Sequence, residues 1–189
     1  YNAAHLLDST IESVVNQNYP SIEYIIVDGA SKDYSVSLIK KYEHKISKWV
    51  SEPDQGLYDA MNKGINLATG DYIWFINAGD VIPGNNVLKD IMEMTNGEDF
   101  VYGQAVKINA KGEERKWYKR TPAQNEISYK SFINGMVICH QAMMVKRSLA
   151  EKYKWNSWEI VCDLDWCIRT LKKCTSFKST NFVWCKFQD

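Results

Sequence analysis

The chain is 189 residues long, 45% hydrophobic, and balances 23 basic against 23 acidic side chains, so its formal charge is zero. A single domain with one sizeable core is the expected organisation, and the neutral balance excludes a global field that would recruit nucleic acid or an anionic membrane. Five cysteines (Cys139, Cys162, Cys167, Cys174, Cys185) crowd into the C-terminal third without CxxC spacing, which favours free thiols in a reducing, cytoplasmic compartment, and no run approaches 18 consecutive apolar residues.

Tyr1-Asn2 enters directly into a helical pattern carried by Leu7, Ile11, Val14 and Val15. Ile22 to Val27 reads as a strand that ends at Asp28-Gly29-Ala30-Ser31-Lys32-Asp33, Tyr34 to Tyr42 as a helix, and Ile46 to Val50 as a short strand. After a loop over Ser51 to Gly56, Leu57, Ala60, Met61, Gly64, Ile65 and Ala68 fall at helical spacing on one face, with Asp59, Lys63 and Asn66 on the other. Thr69-Gly70-Asp71 stops that helix, and Tyr72 to Ile76 is an apolar run of strand length that ends in Asn77-Ala78-Gly79-Asp80. Strand and helix thus alternate at βαβ spacing, which argues for a doubly wound, mostly parallel twisted sheet with helices on both faces, its strand tips on one edge. Ligands of such sheets gather beyond the carboxyl ends of strands, so Asp28 and Asp80 are candidate site residues; an ordinary turn is the competing account of Asn77 to Asp80.

Beyond Asp80 the rhythm changes, and the sheet is expected to be mixed in this C-terminal half. Val87 to Met94 reads as a helix, Phe100 to Ile108 and Glu113 to Tyr118 as strands joined at Ala110-Lys111-Gly112, Glu126 to Ile133 as a weak helix, and Val137 to Val145 as a strand containing Cys139-His140-Gln141. Asp163 to Lys173 is a final helix with Leu164, Cys167, Ile168 and Leu171 as its buried stripe and Asp165, Trp166 and Arg169 on other faces, and Phe182 to Phe187 closes the chain as a strand. Both ends read as cut.

The ordered motifs resemble the family 2 glycosyltransferases with the GT-A fold, particularly enzymes of bacterial surface-polysaccharide biosynthesis. Tyr1-Asn2 resembles the end of the family's Pro-Thr-Tyr-Asn segment, so a first strand would precede this chain, and a C-terminal segment would follow it. Val27 to Asp33 resembles the Asp-Gly-Ser-x-Asp segment, and Glu52-Pro53-Asp54-Gln55-Gly56-Leu57-Tyr58-Asp59-Ala60-Met61-Asn62-Lys63-Gly64 is the most specific part of the match. The resemblance implies a metal-dependent, inverting transferase that moves a sugar from a nucleoside diphosphate donor of UDP or GDP type to a saccharide acceptor, lipid-linked in many such enzymes. It implies Asp80 as the ligand of a Mn or Mg ion bridging the diphosphate, Asp28 at the base, and Tyr1, Asn2, Gly29, Asp59, Lys63, Asn77, Gly79, His140 and Gln141 around the donor. The segment departs from the family's commoner Asp-Asp ending, because Gly79 replaces the first of the two carboxylates. Cys162-Asp163-Leu164-Asp165 resembles the Glu-Asp-x-Asp motif, with cysteine for glutamate and Asp163 matching the general base that takes the acceptor proton.

Each residue also has a plainer reading. Asp163 suits a helix cap, Asp165 and Arg169 an i, i+4 pair, and His140 a satisfied core histidine, while His5 and His44 read as surface residues. Trp74 reads as core, and Trp155 and Trp158 as acceptor candidates. Lys107, Lys111, Arg115, Lys116, Lys119 and Arg120 form a basic stretch, either a solvated hairpin or a contact with the inner face of a membrane. A sugar nucleotidyltransferase is the rival enzyme, disfavoured because no Gly-rich, Arg-containing loop is present; a non-catalytic nucleotide-sugar or saccharide binding module is the rival of another class.

Overall fold

A computed structural model describes residues 1–109, 111, 113–117, 122–154 and 162–188. In chain order they form α1 (Ala4–Val15), β1 (Ile25–Asp28), α2 (Ser35–Lys41), β2 (Lys48–Ser51), α3 (Leu57–Leu67), β3 (Tyr72–Trp74), α4 (Val87–Met94), β4 (Phe100–Ile108), β5 (Glu114–Lys116), β6 (Met143–Lys146), α5 (Cys162–Leu171) and β7 (Phe177–Gln188). The alternation of strand and helix through β3 follows the expected order, with shorter strands.

The strands form two sheets. β1 pairs with β2 in parallel, while β3, β4, β5, β6 and β7 form a mixed sheet in which only the β4–β7 pair is parallel. β7 runs along one edge of β4, so β6 and β5 share the other: Phe100 to Tyr102 pair with β6 and Val106 to Ile108 with β5. Register shifts in the β4–β7 ladder fall between Tyr102, Gln104 and Ala105. Gly103 lies there against the Trp184 indole, and a Cβ at this position would overlap the ring.

Three apolar clusters hold the layers. Ile11, Ile26, Ile39, Tyr42 and Ile46 join α1 and α2 to β1; Val87, Ile91, Val101, Met144 and Trp184 join α4 to one face of the mixed sheet; Phe100, Tyr102, Met143, Val145, Trp166 and Leu171 join α5 to the other. The small sheet is tied to the large one by Glu23, whose carboxylate accepts the Thr69 and Gly70 N–H groups (2.6 and 3.0 Å) and pairs with Lys48 (2.8 Å). All five cysteines are buried free thiols, as expected, and Trp74 meets Trp184 edge-on inside the second cluster.

Three sequence expectations are corrected. Trp166 lies off the expected stripe of α5 yet is 1% exposed, because its indole N–H donates to the Glu151 carbonyl (2.6 Å) and its ring stacks on Tyr153, while Leu164 and Ile168 are only partly buried. Glu126 to Ile133 holds only a 3-10 turn, Tyr129–Phe132, closed by a Ser128–Ser131 capping box. Val137 to Val145 is not one strand, because the Ala142 N–H bonds the Cys139 carbonyl and folds His140–Ala142 into a 3-10 turn before β6 begins. Of the Ala110-Lys111-Gly112 turn only Lys111 is described, and Tyr118, Lys119, Arg120, Trp155 and Trp158 lie outside the described residues.

Candidate active site

The tip of β1 presents Asp28, 6% exposed, whose carboxylate accepts the Ser31 N–H (2.9 Å), the Ser31 hydroxyl and the Ser51 hydroxyl (2.6 Å). Burial alone would raise its pKa, but these donors outweigh burial and hold it below the usual value, so the group is ionised. Asn2 closes over this loop: its N–H donates to Ser31 (2.8 Å) and its side-chain carbonyl accepts the Lys32 N–H (2.9 Å), leaving Tyr1 exposed beside it. Gly29 packs closely on Asp54, whose carboxylate would have to move aside for a Cβ at this position.

Asp80 is 5% exposed and sits in a turn that holds its own carboxylate. The Asn77 N–H donates to Oδ2 (2.8 Å), the Asp80 N–H returns to the Asn77 carbonyl (3.0 Å), and the Gln141 side chain adds a further bond. The turn and the site are therefore one structure. Burial raises the Asp80 pKa to about 6 against these hydrogen bonds, and no lysine or arginine among the described residues pairs with it. Gly79, at φ 103°, makes the turn possible and rests on Leu6.

Helix α1 is the strut between the two strand tips. The Ala4 N–H bonds Asp33 (3.0 Å) in the Asp28 loop, while Thr10 accepts the Gly79 N–H (2.9 Å), and the two helix positions stand about 9 Å apart along the axis. Ser13 and Gln17 continue the line, accepting the N–H groups of Ile82 (3.2 Å) and Leu88 (3.0 Å).

Asp163 lies in the first turn of α5, and its Oδ1 is buried without a hydrogen-bond partner among the described residues. Its charge reaches His140, Tyr153 and Cys139, and the Asp80 charge reaches Cys139 as well, so the second and third carboxylates approach the Cys139–Gln141 turn. Asp165 bonds Arg169 (2.8 Å), the i, i+4 pair expected.

Other expected donor residues have local partners. Lys63 holds the loop ahead of α3 through Glu52 (2.9 Å) and the Pro53 carbonyl (2.8 Å), and Asp59 accepts the Gln55 N–H (3.1 Å). His140, 5% exposed, bonds the Tyr153 hydroxyl and stacks on Phe75 at 5.4 Å, with Trp166 edge-on at 5.5 Å. Burial depresses its pKa despite the opposing Asp163 charge, which makes it a neutral core histidine. Gln141 accepts the Cys139 thiol (3.0 Å), and its carbonyl accepts the Trp74 indole N–H (2.8 Å).

Sequence reasoning passed over Asn62. Its side chain donates to the Tyr153 carbonyl (2.9 Å) and accepts the Tyr153 N–H (2.8 Å), fixing the segment that leads toward Asp163. Its signal was the burial of a lone amide between Met61 and Lys63, on the edge of the apolar stripe.

Ligands of open α/β sheets gather beyond the carboxyl ends of the strands; the carboxylates of Asp28 and Asp80 follow two such ends, and Asp80 is buried without a cation among the described residues. The Glycosyl transferase family 2 profile matches residues 1–154, and the chain belongs to that family. An uncharacterized glycosyltransferase of Mycobacterium tuberculosis is 34% identical over 155 residues, which cover 80% of this chain and 58% of that protein. A PGL/p-HBAD biosynthesis glycosyltransferase of the same species is 26% identical over 154 residues, 78% of this chain and 57% of that one. The chain thus spans little more than half the length of these relatives.

Among solved structures, Staphylococcus aureus TarS 1–349 in complex with UDP superposes with a TM-score of 0.76 at 17% identity, covering all of this chain and 58% of that one. The Pyrobaculum calidifontis mannosyltransferase in complex with GDP-Man and Mn2+ gives 0.69 at 18%, covering 98% and 54%. At these identities the likeness establishes the fold, which is GT-A.

Proposed function

We propose that the chain is the donor-binding and catalytic part of an inverting glycosyltransferase that moves a sugar from a nucleoside diphosphate to a saccharide acceptor. The observation that carries this reading is Asp80, a buried carboxylate with a raised pKa and no cationic partner among the described residues. Such a group suits a hard divalent cation, Mg2+ or Mn2+. No cluster of three or more ligating side chains occurs among the described residues, so the donor's phosphate oxygens and water would complete the coordination sphere. The metal supplies charge neutralisation for the departing diphosphate.

Within this reading the ionised Asp28 accepts hydrogen bonds from the base, with Asn2 and Gly29 shaping the pocket, and Asn77 and Gln141 aim Asp80. Asp163 takes the proton of the attacking hydroxyl; its unpartnered Oδ1 supports that role, because a base must keep a lone pair available. A lipid-linked acceptor and work at the cytoplasmic face of a membrane belong to the same proposal, supported by the buried free thiols and the exposed basic side chains Arg115 and Lys116. No helix among the described residues is long and apolar enough to cross a membrane.

The test is a thermal-shift comparison of UDP, GDP and CDP with and without Mn2+, followed by hydrolysis of the matching sugar nucleotide. A Mn2+-dependent shift by one nucleotide and Mn2+-dependent hydrolysis, both lost in Asp80→Ala, are expected. Equal shifts in Asp80→Ala would remove the metal assignment.

A further inference from the structure

The partner change along β4 leaves a gap in the mixed sheet. On the edge shared by β6 and β5, Gly103 to Ala105 belong to neither ladder; the Ala105 carbonyl accepts the Trp117 N–H (2.9 Å). On the opposite edge, the shifts in the β4–β7 register displace Thr180 and Asn181 from the ladder. A cavity of about 510 Å³ opens here, within the roughly 300–1,000 Å³ of small-molecule sites.

Its lining is mixed in chemistry. Trp117, 37% exposed, is braced edge-on by Phe187 at 5.2 Å, and Lys116, Gln104 and Asn181 add an ammonium and two amides. Cys139 forms part of the wall, and Cys139 feels the charges of both Asp80 and Asp163. Cys139 is thus common to the cavity wall and to the surroundings of the two carboxylates.

We infer that this gap is a saccharide subsite, in which a sugar ring lies on the free face of Trp117 with its hydroxyls on Gln104 and Asn181. The inference rests on the transferase reading for the identity of the bound ring, which is the acceptor's. A pyranose has one face of C–H groups and a rim of hydroxyls, and an exposed indole beside paired amides matches both surfaces. Lys116 at the mouth extends the preference to saccharides that carry an anionic group near the ring.

The experiment is saturation-transfer difference NMR on the chain, in the presence of Mn2+ and UDP or GDP. The probes are the methyl glycosides of glucose, galactose, mannose and N-acetylglucosamine at millimolar concentration. Wild type is expected to bind at least one glycoside, Trp117→Ala to weaken it about fivefold or more, and Trp117→Phe to retain most of it. Gln104→Ala gives an independent loss if Trp117→Ala fails to fold. Absence of any glycoside signal in the wild type, or an undiminished signal in folded Trp117→Ala and Gln104→Ala, overturns the subsite. Nucleotide binding is read separately by thermal shift: a Trp117-dependent glycoside signal in a chain that no nucleoside diphosphate shifts keeps the saccharide site and removes the transferase reading.

Discussion

Asn62 and Tyr153 hold each other through two hydrogen bonds across 91 residues of sequence, the amide of one matched to the backbone N–H and carbonyl of the other. Tyr153 in turn stacks on Trp166 of α5 at 5.3 Å and on Tyr58 of α3 at 5.1 Å. The clamp therefore sets the distance between α3 and α5, and with it the position of Asp163.

Asn62→Ala leaves a buried N–H and a buried carbonyl unmatched. Each unmatched group costs about 1–3 kcal/mol, so denaturant unfolding is expected to show a loss of roughly 2–6 kcal/mol. Asn62→Asp keeps the acceptor but sets a charge against the Tyr153 carbonyl, and is expected to lose at least as much.

Asp163→Asn keeps the shape of α5 and removes the proposed base. Sugar transfer is expected to fall about 10²–10⁴-fold while the thermal shift by nucleotide with Mn2+ is preserved. Unchanged transfer would take Asp163 out of the role.

Asp80→Asn should separate stability from binding. The carboxylate has its pKa raised by burial to about 6, so the folded state binds the proton more tightly than the unfolded chain, and stability is lost as pH rises through this range. Above pH 6 the metal-free wild type carries that cost, and Asp80→Asn is expected to melt a few degrees higher, as about 2–4 °C per kcal/mol implies for a chain of this size, without any response to Mn2+. A lower melting point in the variant would show that the carboxylate stabilises the apo fold.

Glu23 supplies the opposite sign. The Lys48 ammonium beside it lowers its pKa to about 2 despite partial burial, with the Thr69 and Gly70 donors assisting. Its contribution is full above the ordinary pKa of 4.5 and lost as pH falls toward 2. After solvent screening, roughly 1–2 kcal/mol is expected. Urea unfolding at pH 6 and pH 3 should show a smaller difference in Glu23→Gln than in the wild type.

Much of this was legible in the chain because local rules and tertiary packing agree there. Most of the α3 stripe and the strand tips at Asp28 and Asp80 follow from periodicity and turn chemistry, although Leu57 at the head of the stripe is exposed, and Ser35, Asn2 and Ser31 add bonds that only strengthen the tips. The gap in β4 was not legible, since Phe100 to Ile108 reads as one uninterrupted strand and nothing local says that its partner changes midway. Lys63 and Asp59 were assigned to the donor by motif, but a long ammonium and a carboxylate one helical turn apart are equally able to hold a loop, and the loop residues Glu52, Pro53 and Gln55 lie within their reach. His140 illustrates the same ambiguity: the letters His-Gln fit an active site, whereas the aromatic rings of Phe75, Tyr153 and Trp166 that enclose it come from three other segments.

The buried thiols turn the molecule into its own opening clock. Burial pushes Cys139 and Cys174 up to about 12 and Cys167 well above the ordinary thiol value, so thiolate is scarce while the fold is closed. An alkylating reagent would thus mark each cysteine at the rate at which its surroundings come apart. Because the five sample the wall of the β4 gap, both ends of α5 and the end of β7, their order of labelling would map which part of the second half loosens first.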